Sequence, residues 1–289
     1  MSKSRMRDPE RLVSPVFGLA FKLLLSVVIA VPVLYMLLLS VSPQFAILSG
    51  QLIPSHFDWS NYSKIWKTAP LASGFVNSLI VCGASSVLAV LVASLAAYPL
   101  ARYRFFGRAP LLYGALGLQL IPGPMTLLPV FVLFAMFQSL FGIVVIGSYW
   151  GVIVTYVTFS LPLSLWLMVG YIRTIPRELE EAVFVDGGTP LVALRKVVLP
   201  MAIPGMVVTL LFSLLVGWND VLFATVLTNN DTRTLAVDLS NFTITQEGAP
   251  LPLYSQLMAA ATVAAVPIVA IYLALQRYLI GGFGAGALK

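Results

Sequence analysis

Residues 181–200 read EAVFVDGGTPLVALRKVVLP and form a compact charged segment. The rest of the 289-residue chain is strongly apolar, since 59% of all residues are hydrophobic and only 10% are charged. Soluble domains carry about 25% charged residues, so this composition indicates a surface that lipid solvates. Long apolar runs without period-two alternation favour helices over a closed barrel, the other structure that satisfies its backbone in lipid. The sequence therefore predicts an all-α polytopic membrane protein.

Six apolar runs are long enough to cross a bilayer, which takes about 20 residues. The first run follows a basic stretch, as in a signal peptide. The apolar run is too long for the hydrophobic region of a signal peptide and has no clear small-x-small cleavage site, so we expect a retained helix. We predict one transmembrane domain over residues 1–289. Its helices are expected near 17–41, 74–100, 111–138, 145–170, 201–227 and 255–279.

The basic residues lie mainly on one side of this topology. Thirteen lysines and arginines fall in the N-terminal stretch, the second-to-third and fourth-to-fifth connections and the C-terminal end. The positive-inside rule then places both termini in the cytoplasm. This orientation explains the net charge of +6, which therefore does not predict nucleic acid binding. The opposite side carries only Lys64, Lys67 and Arg233.

Residues 173–200, which we call the elbow, are expected to fold as two short helices. Pro176 can begin the first helix, because its missing N–H would be unpaired there, and Gly187 can end it in a left-handed conformation. Thr189 is a good N-cap for the second helix, which Pro200 is expected to end. The first helix begins with acidic residues, which its dipole stabilises; they are Glu178, Glu180 and Glu181.

The acidic residues of the elbow also bear on where it lies. An amphipathic hairpin on the lipid surface is one interpretation. Its acidic cluster would then face anionic headgroups, which is unfavourable. A groove in a partner protein is the better host, so the sequence favours docking to a partner.

Motifs for chemistry of its own are absent from the sequence. It contains no G-x-x-x-x-G-K-[ST] phosphate loop, no Cys/His cluster with metal-ligand spacing and no G-x-S-x-G motif. We therefore expect no enzyme activity, no metal site and no cofactor held by this chain. Lys22 and Asp220 lie within the predicted spans, both toward helix ends, and Asp220 is the only carboxylate there. An ion-coupled carrier is expected to place carboxylates near the midplane. An ion-coupled carrier of a polar solute and a structural or receptor-like subunit remain alternatives.

Polar and aromatic residues in three predicted helices could line a path for a solute. Pro122 and Pro124 interrupt the third helix, and such breaks are tolerated where they face protein or a cavity. An aromatic face beside amides and a carboxylate suits a polyhydroxyl solute, because C–H faces stack while hydroxyls pair with polar groups. Hydrogen bonding between helices is the alternative role. The candidate path residues are Asn77, Gln119, Trp218, Asn219 and Asp220.

Two long connections lie on the outer side, near 42–73 and 229–253. Each is large enough to present a surface to an external partner, although both could be ordinary connectors with interfacial aromatic residues. The second is the stronger candidate for a docking surface. Its candidate contact residues are Asn229, Asn230, Asp231, Asp238, Phe242 and Glu247.

The elbow resembles the "EAA" loop of bacterial ABC-importer permeases. Further matches, which run from about residue 54 to the C-terminus, resemble the carbohydrate-uptake branch and the second membrane subunit of maltose-type importers. Val183 and Leu194 depart from the pattern but keep its apolar character, and Asp220 replaces the more usual glutamate. The matching segments are Glu181-Ala182, Asp186–Pro190, Val197–Pro200, Pro204, Asn61-Tyr62, Asn77–Leu79, Trp218-Asn219 and Gln276–Tyr278.

The resemblance implies a set of partners and roles. A second homologous permease would complete the path, two ATPase subunits would bind ATP and Mg and receive the elbow, and an extracytoplasmic solute-binding protein would deliver a carbohydrate. The external loop 229–253 would reach into the binding protein, and the cytoplasmic tail 280–289 would contact the ATPases. A bacterial inner-membrane location is implied. The residues implied to couple to the ATPases are Glu178, Glu181, Ala182, Asp186, Gly187, Leu199 and Pro200.

Overall fold

The structure, a computed structural model, describes residues 15–240, 242 and 253–284, with side chains from Phe17 to Tyr278. Within these ranges the chain is helical and contains no strand, and six helices are long and apolar enough to cross a membrane. This confirms the predicted fold class. In chain order the helices are α1 (Pro15–Ser40), α2 (Gln44–Leu48), α3 (Asn61–Thr68), α4 (Leu71–Arg102), α5 (Arg108–Leu118), α6 (Gly123–Phe141), α7 (Tyr149–Thr174), α8 (Glu178–Val185), α9 (Pro190–Ala193), α10 (Leu199–Trp218), α11 (Leu222–Leu227), α12 (Leu235–Ser240) and α13 (Tyr254–Gly284).

The chain divides into two compact units, of which the smaller comprises residues 1–65 and 245–263. In this unit the end of α1 is tied to the start of α3. The buried Asn61 amide donates to the backbone carbonyls of Ser40 and Ser42, at 3.0 Å each. The Tyr62 hydroxyl lies 2.7 Å from the Ser40 hydroxyl. These bonds satisfy carbonyls at the end of a helix, where intrahelical partners are missing.

The larger unit comprises residues 66–244 and 264–289 and is built on α4, α7 and α10. Along α4, an alanine recurs at every fourth position and each of the four is buried. This spacing places small side chains on one face, which allows neighbouring helices to approach closely. Gly217 of α10 serves the same purpose, because a Cβ there would lie 2.7 Å from the Tyr156 ring. The four alanines are Ala89, Ala93, Ala97 and Ala101.

The prediction of one continuous third helix over residues 111–138 is wrong. It is divided into α5 and α6, and the break covers residues 119–122. Pro122 and Pro124 lack the N–H groups that would bond to the carbonyls one turn earlier, and their rings would clash with those carbonyls. The break therefore follows from the prolines.

The predicted end of the elbow at Pro200 is also wrong. The chain runs from α9 through a π-helix (Leu194–Val198) directly into α10, so the second arm of the elbow is an extension of the fifth membrane helix. A π-helix pairs each N–H with a carbonyl five residues earlier, and the wider turn accommodates the proline without ending the helix. At its other end α10 stops at Trp218 rather than near 227, and α11 follows after a short interruption.

The remaining boundaries differ from expectation by a few residues. The fourth membrane helix begins at Tyr149 rather than near 145, because Gly147 has a positive φ of 82° and Ser148 is extended. The last helix continues to Gly284, so the first half of the predicted tail 280–289 is helical. Residues 285–289 lie outside the described part of the chain.

Candidate functional site

The first arm of the elbow, α8, ends in a Schellman motif at two glycines. The Gly188 N–H donates to the Val183 carbonyl at 2.8 Å, and the Gly187 N–H donates to the Phe184 carbonyl at 3.0 Å. Gly187 has a φ of 79°, a left-handed conformation that glycine adopts without strain. The glycine termination predicted from the sequence is therefore confirmed, although α8 begins at Glu178 rather than Pro176.

The second arm begins as the sequence predicts. The Thr189 side chain accepts a hydrogen bond from the Val192 N–H at 3.4 Å, and Pro190 is the first helical residue. The N-cap side chain pairs with one backbone N–H of the first turn, and the proline that follows has no N–H to leave unpaired. The arm then continues through the π-helix into α10. The second arm and α10 therefore form one unbroken helical element.

A buried ion pair joins the elbow to the end of α4. The Arg102 Nε donates to Glu180 Oε1 at 2.6 Å, and the Tyr98 hydroxyl donates to Glu180 Oε2 at 3.0 Å. Arg102 also donates to the Ile175 carbonyl at 2.9 Å. The Arg102 and Glu180 side chains are only 7% and 6% exposed. This contact holds α8 against the membrane domain.

Sequence reasoning missed the role of Glu180 and assigned it only to the helix dipole. Arg102 was used only to orient the chain. A signal was available, because Tyr98 and Arg102 are four residues apart and so lie on one face of α4. Two hydrogen-bond donors on that face, at the end of a membrane helix, indicate a carboxylate partner.

Beneath the elbow, apolar residues anchor its second arm in the core. Leu194 and Val198 of the π-helix are buried against α4 and α7, where Ala97, Met168 and Ile172 are fully or almost fully covered. The departure at Leu194 therefore does not alter the apolar packing of the arm. The Arg102–Glu180 ion pair fixes the first arm of the elbow and this apolar cluster fixes the second, so we call the elbow supported.

The outer face of the elbow combines acidic residues with exposed apolar ones. Val185 is 87% exposed and Leu191 is 61% exposed. Val185 precedes the candidate membrane span Pro190–Trp218, and Leu191 is the second residue of that span. Large apolar side chains exposed to water mark interaction surfaces. Leu199 is half-buried and the other predicted coupling residues are exposed; the latter are Glu178, Glu181, Ala182, Asp186, Gly187 and Pro200.

Two helix breaks approach each other beside α7. The exposed Gln119, in the α5–α6 break, donates to the Phe159 carbonyl at 3.5 Å. The centroid of the Phe159 ring lies 4.7 Å from that of Phe223, which is in the first turn of α11 after the second break. In membrane transporters, discontinuous helices of this kind supply polar backbone groups to solute sites. Of the candidate path residues, Gln119 and Asn219 are exposed and Trp218 is half-buried.

The other two candidate path residues are engaged in the fold. Asn77 is 4% exposed; its amide donates to the carbonyls of Asp231 and Arg233, and it accepts a bond from the Tyr149 hydroxyl. Asp220 accepts from the Phe223 and Ala224 N–H groups and from the Tyr156 hydroxyl. Asn77 thus fixes the connection after α11 onto α4, and Asp220 caps α11. This arrangement matches the alternative role of bonding between helices.

The connection after α11 starts with a polar turn. The exposed Asn229 accepts from the Asp231 and Thr232 N–H groups and donates to the Gly147 carbonyl at 3.0 Å. Asn230 and Asp231 are exposed as well. Three of the six candidate contact residues therefore lie on the surface. Glu247 lies outside the described residues.

Asp238 and Phe242 do not form part of that surface, which corrects the expectation of direct contact for these two side chains. They are 0% and 1% exposed, and α12, which carries Asp238, packs on the first turns of α4. A Cβ at Gly74 would clash with Asp238 Oδ2, so glycine is what admits the carboxylate. Neither carboxylate oxygen has a hydrogen-bond partner within the described residues, and the nearest cation, Arg233 Nη1, is 3.9 Å away. Burial raises the pKa of Asp238 to about 6, although Arg233 opposes the shift.

Within the described ranges, no group of three or more His, Cys, Asp or Glu side chains is placed to hold a metal ion. Over residues 89–283 the sequence matches the family described as "binding-protein-dependent transport system inner membrane component". This chain belongs to that family. It is accordingly a multi-pass inner-membrane protein and a permease component of a binding-protein-dependent transport system.

Several proteins that are similar to this chain are also named as permeases of transport or uptake systems. The trehalose transport system permease protein SugB of Mycobacterium tuberculosis is 34% identical over 89% of this chain and 92% of its own length. The diacetylchitobiose uptake system permease protein NgcG of Streptomyces coelicolor is 32% identical over 93% of this chain and 87% of its own. The maltose/maltodextrin transport system permease protein MalG of Escherichia coli is 31% identical over 83% of this chain and 84% of its own.

A solved structure supports the fold independently. A chain from the crystal structure of a bacterial ABC transporter involved in the import of the acidic polysaccharide alginate superposes with a TM-score of 0.73. The match covers 95% of this chain and 99% of that chain at 20% sequence identity. At this identity the likeness concerns the fold, and it is in accord with the family assignment.

Proposed function

We propose that this chain is one of two permease subunits of an ATP-driven importer for a carbohydrate. It would form half of the translocation path beside a second, homologous permease. Two ATPase subunits would bind ATP and Mg, and an extracytoplasmic solute-binding protein would deliver the solute. The observation that carries this proposal is the supported elbow, which exposes the apolar side chains of Val185 and Leu191 and continues into α10.

The elbow is suited to transmit force from a partner. An element that transmits movement must be rigid and attached to the rest of the protein. The Arg102–Glu180 pair and the buried Leu194 and Val198 attach the elbow to the membrane helices. Its exposed apolar residues suit a groove in a protein better than water. Closure of two ATPase subunits would move α8, and the continuous element Pro190–Trp218 would carry that movement into the membrane, where it changes access to the path.

The orientation we propose places both termini and the elbow in the cytoplasm. The basic residues support it, because thirteen of them lie on the elbow side and three on the other. ATP is supplied in the cytoplasm, so the elbow is then on the side where ATPase subunits work. The polar turn at Asn229–Asp231 comes to the outer side, where a binding protein arrives.

A carbohydrate is the solute class that we propose. The three relatives described above are named for trehalose, diacetylchitobiose and maltose. In this chain, Gln119 and Asn219 supply exposed amides at the two breaks, and Gln119 bonds to Phe159, whose ring packs on that of Phe223. Amides pair with hydroxyls and rings stack on C–H faces, which is the combination that sugars require.

Uptake into proteoliposomes tests the proposal against an ion-coupled carrier. The chain is purified with its co-expressed partners and reconstituted with the binding protein and radiolabelled disaccharides. We expect uptake that needs internal ATP and the binding protein and that persists when proton and sodium gradients are collapsed. Uptake by the chain alone, driven by an ion gradient without ATP, would show that the carrier alternative is right.

A further inference from the structure

Two adjoining cavities open beside the end of α7 that carries the elbow. The first has a volume of about 310 Å³ and is mainly apolar, with Leu112, Val169, Gly170 and Val208 among its lining residues. The second has a volume of about 560 Å³ and is lined by three arginines together with aromatic residues. They share Leu112, Trp166 and Arg173, so they form one groove with an apolar and a basic end.

The basic end of the groove is lined by arginine side chains and by no acidic ones. Arg104, Arg108 and Arg173 line it, and no acidic residue lines either cavity. In the part of the chain that the structure describes, none of these three guanidinium groups forms a hydrogen bond or an ion pair with a side chain or carbonyl. By contrast, Arg102 and Arg233 both face carboxylates. The groove therefore has an unneutralised positive charge.

The start of α5 adds to this positive potential. Gly107, with a φ of 89°, turns the chain so that α5 begins at Arg108 within the second cavity. No side chain caps this end and no acidic residue lies in its first turn. The positive end of the helix dipole is thus directed at the same space as the three arginines, and an anion is favoured there.

The surroundings of the groove correspond to the membrane–water interface. Phe106 is fully exposed, Tyr113 is 69% exposed and Trp166 is 48% exposed. Aromatic residues are enriched at that level of the bilayer. Arg173 lies in the last turn of the membrane span α7, so the basic end is level with headgroups and the apolar end with acyl chains.

We infer that this groove is a binding site for an anionic phospholipid. The phosphate would lie between Arg104, Arg108 and Arg173, and an acyl chain would cover Leu112, Val169 and Val208. Basic pockets between membrane helices on the cytoplasmic side bind such headgroups. A soluble anion would leave the apolar end uncovered, and a zwitterionic lipid would leave the cations unneutralised. An anionic lipid satisfies both ends.

Native mass spectrometry tests this inference on the purified complex. Wild type and variants are placed in nanodiscs of phosphatidylcholine with a minor fraction of phosphatidylglycerol, and the phospholipids retained on release are identified by mass. We expect wild type to retain phosphatidylglycerol selectively. Loss of one arginine should lower its affinity by about fivefold, so Arg104→Gln with Arg108→Gln and Arg173→Gln should lower it roughly a hundredfold. Arg277→Gln is the matched control, because Arg277 lies outside the groove, and it should retain the lipid as wild type does.

A second variant covers the case in which the triple substitution prevents assembly. Val208→Trp fills the apolar end but leaves the three arginines in place, and it should also lower phosphatidylglycerol retention. The inference is overturned if the triple variant retains as much phosphatidylglycerol as wild type, or if wild type retains phosphatidylcholine equally well. It is also overturned if the arginines prove to be covered by a protein subunit in the complex. Since retention is measured without solute or ATP, its outcome is separate from that of the transport proposal.

Discussion

Arg102 and Glu180 form a buried ion pair, with Nε and Oε1 2.6 Å apart, between the end of α4 and the first arm of the elbow. The two residues are 78 positions apart in the sequence. Tyr98 donates to the other carboxylate oxygen, so both oxygens of Glu180 are satisfied. Removing one partner of such a pair leaves a buried charge without compensation, which makes the attachment of the elbow directly testable.

Glu180→Gln is expected to destabilise the protein by about 3–5 kcal/mol, because Arg102 keeps its charge in a buried site. The measurement is the thermal unfolding midpoint in detergent. Glu181→Gln is the matched control; this residue is exposed, and its substitution should change stability by less than about 0.5 kcal/mol. Replacing both partners, as Arg102→Met with Glu180→Leu, should recover much of the loss. Equal effects of Glu180→Gln and Glu181→Gln would show that the pair does not hold the elbow.

Gly187→Ala is expected to impair coupling through the backbone alone. No atom lies within 4 Å of a Cβ placed at Gly187, but its φ of 79° would strain an alanine by about 1–2 kcal/mol. We expect the reconstituted complex to hydrolyse ATP while uptake per ATP falls. Gly114→Ala is the control, since it has the same open space in a helix without a positive φ and should be neutral or stabilising. Unchanged uptake per ATP in the Gly187 variant would contradict this role.

The buried carboxyl group of Asp238 predicts a dependence of stability on pH. Its pKa is about 6 in the folded protein against an ordinary value of 3.8, so the folded state binds the proton more tightly. Its contribution is therefore fully present below pH 3.8 and is lost as the pH rises through about 6. Gly74 and Arg233 face it, and of these two Arg233 is charged.

Thermal unfolding of the complex at pH 5 and pH 8 tests this dependence. The wild type is expected to lose stability toward pH 8, and Asp238→Asn should lose less, because the amide does not titrate. Asp231→Asn is the control at an exposed position of the same connection and should behave as wild type. The same pH dependence in wild type and Asp238→Asn would show that this carboxyl group is not responsible.

Asn77 and Gln119 are expected to give opposite results when each is changed to alanine. Asn77 is buried with three hydrogen bonds, so its loss leaves unpaired carbonyls and should cost about 1–3 kcal/mol of stability. Gln119 is exposed with one long bond, so Gln119→Ala should leave the unfolding midpoint unchanged and lower sugar uptake. Measuring both quantities on both variants separates a structural role from a role in the path. An unchanged rate of uptake in Gln119→Ala would remove it from the path.

Local features of the elbow could be predicted from the sequence, because they depend on residues close to each other in the chain. Thr189 as an N-cap and Gly187 as a left-handed terminus follow from backbone chemistry at single positions. The same local rule failed at Pro200. Packing of Leu194 and Val198 into the core keeps the helix continuous there, and a π-helix accommodates the ring.

Contacts between distant residues could not be predicted in this way. The pairing of Arg102 with Glu180 and the burial of Asp238 against Gly74 depend on which helices become neighbours. Asn77 was assigned to the path because a polar residue in a membrane helix suggests function. The carbonyls that it binds belong to a connection more than 150 residues away.

Crosslinking from Val185 tests most directly whether the elbow docks into an ATPase. Cys82 is the one cysteine of the chain and is buried, so Val185→Cys supplies a single accessible thiol for a photoreactive maleimide. Val144→Cys is the control, since Val144 is also exposed but precedes α7, at the end of that helix opposite the elbow. We predict that Val185→Cys captures a subunit whose tryptic peptides contain a phosphate-loop motif and that Val144→Cys does not. Capture of no such subunit from Val185→Cys in an intact, transport-competent complex would contradict the account.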